Sequence, residues 1–176
     1  MQEENFIIEE ATLADIPRLV DMINGCYRGE RSRAGWTTEA DLIAGDIRVE
    51  EDGLAKLLTT ENVWILKFSY PSTGIVGSVY LEKKGDRLYL GMFSVDVNQQ
   101  ANGIGKLLLY AAEAHARSLS CKAVFMQVIH LRHELIGWYE RQGYRQTGER
   151  KPFDGDPRVG VPKMPLEFLV LEKIFQ

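Results

Sequence analysis

The sequence contains 176 residues, the usual size of one domain, so we expect a single domain over residues 1–176. Hydrophobic residues make up 45% and charged residues 26%, a balance typical of globular chains that excludes disordered and fibrous proteins. The net charge of -4 argues against a nucleic-acid partner, because such a surface needs a local excess of basic residues.

Cellular location and redox state can also be predicted from composition. No apolar run approaches the roughly 18 residues of a membrane-spanning helix, and residues 1–10 are acidic, unlike the start of a secretory signal. We therefore expect a cytoplasmic protein with no membrane partner. Cys26 and Cys121 lie far apart without CxxC spacing, which predicts two reduced, half-buried thiols and no metal site.

The first predicted elements are a strand and a helix. Alternating apolar residues predict a strand over residues 5–10. Thr12 and Asp15 have the spacing of a capping box that would begin the helix. The helix is predicted because apolar residues recur at helical spacing, at Ile16, Leu19, Val20 and Ile23.

The central part of the chain predicts a loop, a second helix and a meander. Residues 27–36 are polar and contain glycine, which favours a loop, and the second helix is expected to begin at Thr37 or Thr38. Three β-rich runs separated by glycine-containing turns then predict antiparallel strands. These runs are residues 63–68, 75–82 and 88–97.

The C-terminal part alternates between helical and β patterns. The predicted elements are a helix at 105–120, a strand at 123–129, a helix at 133–142, and strands at 144–147 and 166–174. Gly143 fits the cap of the second of these helices. Because a helical crossover joins parallel strands, residues 88–97 and 123–129 should pair in parallel. The proline-rich residues 150–165 form a loop long enough to be functional.

The clearest chemical signal is a glycine-bearing turn between strand and helix, within residues 95–109. The first N–H groups of a helix lack internal partners and together carry about half a positive charge, so they can bind a phosphate. Gly103 and Gly105 would let a diphosphate approach the backbone, and Lys106 would add a charge. The spacing fits neither the Rossmann nor the Walker pattern, and a turn that serves packing alone stays open.

The segment Gln100-Ala101-Asn102-Gly103-Ile104-Gly105 resembles the Q/R-x-x-G-x-G/A signature of the GCN5-related N-acetyltransferases. The resemblance implies an α/β fold with a mostly antiparallel sheet of about seven strands, a splayed parallel pair and about four helices. It also implies acetyl-CoA as co-substrate, with no metal. The residues expected to hold acetyl-CoA are Val95, Val97, Gln100, Ala101, Asn102, Gly103, Ile104, Gly105, Lys106 and His133.

A second segment, residues 130–144, is similar to the family's later signature, in which a helix ends in tyrosine, a charged segment, glycine and an aromatic. The tyrosine of that pattern corresponds to Tyr139, which we expect to be the acid that protonates the departing thiolate. The alternative is an aromatic that only packs on the sheet. The asparagine of the pattern is replaced near His133.

An alkylamine with a pKa of about 10.4 must lose a proton before it attacks a thioester. The sequence offers several bases without choosing among them: Glu10, Glu82, His130, His133 or a water-mediated route. Acceptor recognition is expected from loop residues that could equally be lids over the core, namely Tyr27, Arg28, Trp36 and Phe153. The mixed charges of residues 28–33, Arg28 included, are most simply a solvated surface.

The expected partner is a small-molecule primary amine. Two alternatives remain open: a protein N-terminus or lysine as acceptor, which would need an open peptide groove, and a non-catalytic sensor of acyl-CoA. A homodimer is also left open by the sequence.

Overall fold

The computed structural model describes residues 4–176. Its strands are β1 (Ile7–Glu10), β2 (Ile43–Ala44), β3 (Val63–Tyr70), β4 (Gly74–Lys84), β5 (Arg87–Val95), β6 (Ala123–Ile129), β7 (Arg145–Pro152), β8 (Val161–Pro162) and β9 (Glu167–Ile174). Its α-helices are α1 (Ile16–Tyr27), α2 (Gly29–Ser32), α3 (Glu51–Leu58), α4 (Ile104–Ser118) and α5 (His133–Arg141).

Seven strands form one sheet in the order β1-β3-β4-β5-β6-β9-β7, and β2 pairs with β8 in a second, two-stranded sheet. Every pairing in the large sheet is antiparallel except β5 with β6, which is parallel. The predicted mixed sheet with one parallel pair is therefore confirmed. The strand that precedes the glycine turn is β5.

The parallel pair is splayed. Pairing of β5 with β6 covers Arg87 to Leu90 and stops there, although both strands continue. A bulge interrupts the β4–β5 ladder just beyond this point, and Met92 has a φ of 43°. A bulge increases local twist, so it turns the end of β5 away from β6 and leaves one edge of that strand without a partner strand.

Helices cover both faces of the sheet. On one face, Leu108 and Ala112 of α4 and Ile136 of α5 pack on buried residues of the central strands. On the other face, Leu19 of α1 and Leu54 of α3 pack with a second buried cluster. Because helices cover both faces, strands such as β4 and β6 are buried along nearly their whole length, and this burial supplies the hydrophobic stabilisation.

Most predicted elements are confirmed to within a few residues. At the start of the first helix, the Thr12 N–H donates to the Asp15 carboxylate at 2.8 Å, as a capping box requires. Gly143 follows α5 with a φ of 97°, which suits a helix cap. Among the described residues, no helix is long and apolar enough to cross a membrane.

The region between α1 and β3 was predicted incorrectly. No helix begins at Thr37 or Thr38, because the Thr38 hydroxyl accepts from the backbone N–H of Ala40 in a local turn and Glu39 points inward. The expected loop at 27–36 contains the short helix α2, and α3 was missed. Residues 150–152 belong to β7, not to the loop that follows it.

Candidate active site

The turn after β5 ends in a helix N-terminus whose first amides have no hydrogen-bond acceptor. Gly103 is the N-cap of α4 and has a φ of 76°, a left-handed conformation that suits glycine. Along α4, the first N–H group that donates to a backbone carbonyl belongs to Leu107, and its acceptor is the Gly103 oxygen at 3.1 Å. No described residue accepts from the N–H groups of Ile104 and Gly105, so they are available to an anion.

The geometry at Gly103 also leaves room for a ligand. A Cβ built there would meet no atom within 4 Å, and a Cβ at Gly105 would meet Phe93 only at 3.5 Å. The ammonium of Lys106 lies on the same turn, at 5.9 Å from the Tyr110 ring centroid. This combination of bare amides, open space and one cation fits a diphosphate.

The unpaired edge of β5 adjoins this turn. The carbonyl oxygens of Phe93 and Val95 face that edge, since the first accepts from the Tyr27 hydroxyl at 3.0 Å and the second from the Gln100 amide at 3.1 Å. In an extended strand the N–H and C=O of one residue point to the same side. The N–H groups of Phe93 and Val95 therefore also face the open edge, where an amide-bearing chain could pair with them.

A cavity of about 760 Å³ lies along this edge and reaches the turn. The residues expected to hold acetyl-CoA that line it are Val95, Val97, Gln100, Ala101, Gly103, Ile104, Gly105 and Lys106. Asn102 and His133 do not line it: the Asn102 amide bonds Gln99 at 3.4 Å, and His133 is exposed at the first turn of α5. The structure thus places these two side chains away from the expected contacts.

Tyr139 lies on α5 where two cavities meet. It lines the large cavity and a neighbouring cavity of about 210 Å³, yet it is only 3% exposed. Its hydroxyl makes no hydrogen bond with any described residue and is not sealed in the core. Burial raises its pKa well above the usual range of tyrosine, so the hydroxyl remains protonated and can serve as a donor.

The smaller cavity brings together three of the four residues expected at the acceptor. Tyr27, Arg28 and Phe153 line it, although they come from α1, the segment before α2 and the segment after β7. Trp36 does not: it is half exposed, lines only the larger cavity, and donates its backbone N–H to Gln100 at 3.0 Å. The expected four-residue pocket was therefore wrong about Trp36.

A buried ion network lines the smaller cavity, and one member, Arg132, also lines the larger one. Arg28 donates to Glu39 at 2.9 Å, and Arg132 lies 3.6 Å from the other oxygen of the same carboxylate. Arg132 also donates to the Thr37 hydroxyl at 2.9 Å, which in turn donates to Glu134. Arg28, Glu39 and Arg132 are each more than nine-tenths buried, so the expectation of a solvated charge at Arg28 was wrong.

The four residues named as candidate bases lie outside both cavities. Glu82 accepts from the Tyr80 hydroxyl, Glu10 lies on the edge strand β1, and His130 bonds the backbone of Glu167. Glu39 is a buried carboxylate that lines the smaller cavity, and sequence reasoning missed it because it stands in a segment assigned to a helix. Arg48 and Arg132 were missed too, since no local motif marks them.

The predicted half-buried thiol is confirmed for Cys26 but not for Cys121. Both are free thiols, with Cys26 half-buried and Cys121 buried. Burial and the charge of Asp96 raise the pKa of Cys26 to about 12, so its thiol stays protonated beside the Val95 carbonyl at 3.1 Å. The residues that the structure describes contain no group of three side chains suited to hold a metal ion.

Comparison with solved structures shows which folds are similar. The PaiA N-acetyltransferase from Thermoplasma acidophilum, solved in complex with coenzyme A, superposes with a TM-score of 0.72 at 14% identity, over 97% of this chain and 99% of the other. The ribosomal-protein-alanine N-acetyltransferase from Brucella melitensis superposes with a TM-score of 0.71 at 20% identity, over 96% and 99%. At such identities the likeness establishes the fold.

Comparison of sequences gives the family. The spermine/spermidine N(1)-acetyltransferase of Bacillus subtilis strain 168 is 30% identical over 69 residues, which are 39% of this chain and 45% of that protein. The chain thus aligns with less than half the length of the curated relatives it matches. Residues 18–144, well over half of the chain, match the Acetyltransferase (GNAT) family. With a splayed parallel pair, a glycine-capped helix and this match, the chain belongs to the GNAT acetyltransferase family.

Proposed function

We propose that this protein is an N-acetyltransferase that moves an acetyl group from acetyl-CoA to the primary amine of a small molecule. One observation carries the proposal: the open edge of β5 connects an anion-binding helix N-terminus to a second cavity, and Tyr139 stands where the two cavities meet. Family membership and a structural neighbour solved with coenzyme A support the same assignment.

The donor half of the site fits coenzyme A by its backbone groups. The bare amides that begin α4 suit the pyrophosphate, and Gly103 leaves space for it. The N–H groups of Phe93 and Val95 suit the carbonyls of the pantetheine arm, as an added strand would. The Val95 carbonyl is already bonded by Gln100 and Cys26, so this residue contributes mainly its N–H.

Acetyl-CoA supplies an activated thioester. The neutral amine attacks the thioester carbonyl, a C–N bond forms, and the C–S bond breaks after a tetrahedral intermediate. The N–H edge of β5 stabilises the oxyanion of that intermediate. Tyr139 gives its proton to the departing thiolate and regains one, through water, from the attacking nitrogen, which becomes positively charged when the C–N bond forms. The proton that the ammonium lost before the attack leaves through water in the smaller cavity, whose exposed mouth carries Asp154.

The size of the second cavity favours a small acceptor. A cavity of about 150 Å³ holds benzene, so one of about 210 Å³ holds a molecule only moderately larger. A protein N-terminus or lysine would need an open peptide groove. The acceptor therefore should be a free amine of about amino-acid size.

Release of free thiol from acetyl-CoA, with and without amines, tests the proposal. The panel should contain amino acids, amino-acid amides, polyamines and short peptides. We expect thiol release that depends on a small amine, with the acetylated amine detected by mass spectrometry. Tight coenzyme A binding without turnover of any amine would instead make the protein a sensor, and turnover of peptides alone would reverse the assignment of the acceptor.

Tyr139→Phe tests the catalytic assignment. Loss of the proton donor should lower kcat by about 100-fold while the Kd for coenzyme A stays the same. Tyr144→Phe is the matched control, because Tyr144 is buried in the same aromatic cluster but its hydroxyl is sealed away from both cavities. A fall of less than threefold in Tyr139→Phe would remove Tyr139 from the mechanism.

A further inference from the structure

The smaller cavity is lined by three guanidinium groups and one deeply buried carboxylate. Arg28, Arg48 and Arg132 supply the cations, and Glu39 supplies the anion. Arg28 and Arg132 share that single buried carboxylate, and Glu134, which contacts Arg132 only through the Thr37 hydroxyl, is exposed, so one positive charge lacks a buried counter-ion. An uncompensated buried charge is costly unless a further anion neutralises it.

Hydrogen-bond donors also remain unused in this network. The Nε–H groups of Arg28 and Arg132 are buried and have no partner in the described part of the chain. These two Nε atoms are sealed from solvent, so a ligand would reach Arg28 and Arg132 through the parts of their side chains that line the cavity. Guanidinium donors of this kind match the paired oxygens of a carboxylate or phosphate.

Arg48 adds a third cation from a different segment. Its guanidinium carbon lies 5.5 Å from the centroid of the Tyr27 ring, and that of Arg132 lies 5.9 Å from the same centroid. Arg48 is half-buried, and no carboxylate of the described residues lies within ion-pair distance of it. Its charge is therefore available to a molecule in the cavity.

The carboxylates at the mouth of the cavity do not cancel these charges. Asp154 and Asp156 are exposed to solvent, and Asp156 is already held by Arg158 at 2.7 Å. Arg28 and Arg132 thus lie deep in the cavity with Glu39 as their one buried counter-ion, while Asp154 and Asp156 lie at its rim. A polyamine carries only positive charge, so the arginines that line the cavity would repel it, whereas a polyamine site needs carboxylates.

Resting on the proposed function, the geometry points to an acceptor that carries an anionic group beside its amine, held by Arg28, Arg48 and Arg132. The anion is a carboxylate or a phosphate-type group, since both suit paired guanidinium donors. Arg132 borders both cavities, which places the anion close to the passage where the amine must react. An α- or β-amino acid, or its phosphonate counterpart, has this short separation.

Matched acceptors test the inference. Methionine and phenylalanine are each compared with their amides and with their aminophosphonate analogues, and spermidine serves as the polycation. We expect kcat/KM for the anionic members to exceed that for the amides by at least about tenfold. The carboxylate and phosphonate arms identify the preferred anion. If the amides or spermidine were acetylated with the same kcat/KM as the anionic amines, the inference would be wrong, while the proposed acetyltransferase activity would stand.

A binding measurement separates failure of this inference from failure of the proposed function. Calorimetry with the coenzyme A complex should show binding of the amino acid and about tenfold weaker binding of its amide. If no amine were acetylated but this preference persisted, the proposed function would fail and the anion site would stand. Equal binding of acid and amide would remove the anion site.

Arg48→Gln tests the residue that can be changed with the least risk to folding. KM for the anionic amine should rise about tenfold with little change in kcat, whereas KM for the amide should not rise. Arg48→Lys should retain part of the preference, and Arg33→Gln is the control, because Arg33 pairs with Glu30 and Asp41 outside both cavities. Equal effects on acid and amide would show that Arg48 acts only through structure and would contradict the inference.

Discussion

The two halves of the candidate site are built from different materials. The donor half consists of backbone amides at the start of α4 and along the open edge of β5, with glycine at the closest approach. The acceptor half consists of side chains, three of them arginines, from segments far apart in the chain. Backbone groups are the same in every sequence, so the first half suits a constant ligand and the second can vary.

Because the donor half depends on conformation, substitutions that alter backbone freedom should affect it most. Gly103→Ala places a methyl group beside the amides that we propose to bind the pyrophosphate, in a left-handed conformation. Loss of about two charge-assisted hydrogen bonds should weaken coenzyme A binding by about 100-fold, measured by calorimetry. The affinity of the acceptor cavity for its own ligand should change far less.

Gly85→Ala is the matched control for this substitution. Gly85 also has a positive φ, 62°, and open space around it, but it lies in the turn at the opposite end of β5. Both variants should lose about 1–2 kcal/mol of unfolding free energy from left-handed strain. If Gly85→Ala weakened coenzyme A binding as much as Gly103→Ala, strain rather than the phosphate contact would be the cause.

The same contrast explains how much could be predicted from the sequence. The glycine turn was predictable because Gly103, Gly105 and the flanking strand and helix are contiguous, and their pattern reports backbone geometry directly. The fold around it followed from periodicity. Arg48 could not be predicted, because it faces the cavity only through the packing of distant segments and no local pattern marks it.

The error at residues 37–43 has the same origin. Thr38 has the composition of a helix start, but tertiary contacts decide the outcome: Glu39 turns inward to Arg28 and Arg132, and Ile43 enters the β2 pairing with Pro162. Sequence patterns cover only short stretches of the chain, so they cannot predict an ion pair between residues 39 and 132. Local propensity was overridden by a long-range interaction.

Gln100 connects the two halves and gives a smaller expected effect. Its amide donates to the Val95 carbonyl and accepts from the Trp36 N–H, so it holds the segment after α2 against the end of β5. Gln100→Ala removes two hydrogen bonds without adding bulk. We expect the Kd for coenzyme A and the KM for the acceptor each to rise about fivefold, because both cavities border that segment.

Asn102→Ala is the comparison for this variant. Asn102 is an amide in the same turn, is exposed, and lines neither cavity. Removal of its side chain should change both constants by less than twofold. If Asn102→Ala had an effect as large as that of Gln100→Ala, Asn102 would again be a candidate cofactor contact. If Gln100→Ala changed only the Kd for coenzyme A or only the KM for the acceptor, the donor and acceptor halves would be independent.

The smallest effect on either half is expected from a charge that supports only the scaffold. Lys67 lies 2.8 Å from Asp15, whose carboxylate also accepts from Thr12. Burial alone would raise the pKa of Asp15, but these hydrogen bonds and the charge of Lys67 outweigh it and lower the pKa. Asp15→Asn should therefore cost about 1 kcal/mol of unfolding free energy at pH 7 and leave both ligand affinities unchanged.

The sign of the pH dependence follows from that lowered pKa. The stabilisation by Asp15 is fully present above the unfolded pKa of about 3.9 and is lost as the pH falls through the lower folded value. Urea unfolding at pH 7 and at pH 3 should show the difference between wild type and Asp15→Asn shrinking at the acidic pH. Asp41→Asn, whose partner Arg33 is at the surface, should show almost no difference at either pH. If the difference in unfolding free energy were the same at both pH values, the contribution of Asp15 would not be ionic. If the Kd for coenzyme A changed in Asp15→Asn, the contacts of Asp15 with β3 would also affect the donor half.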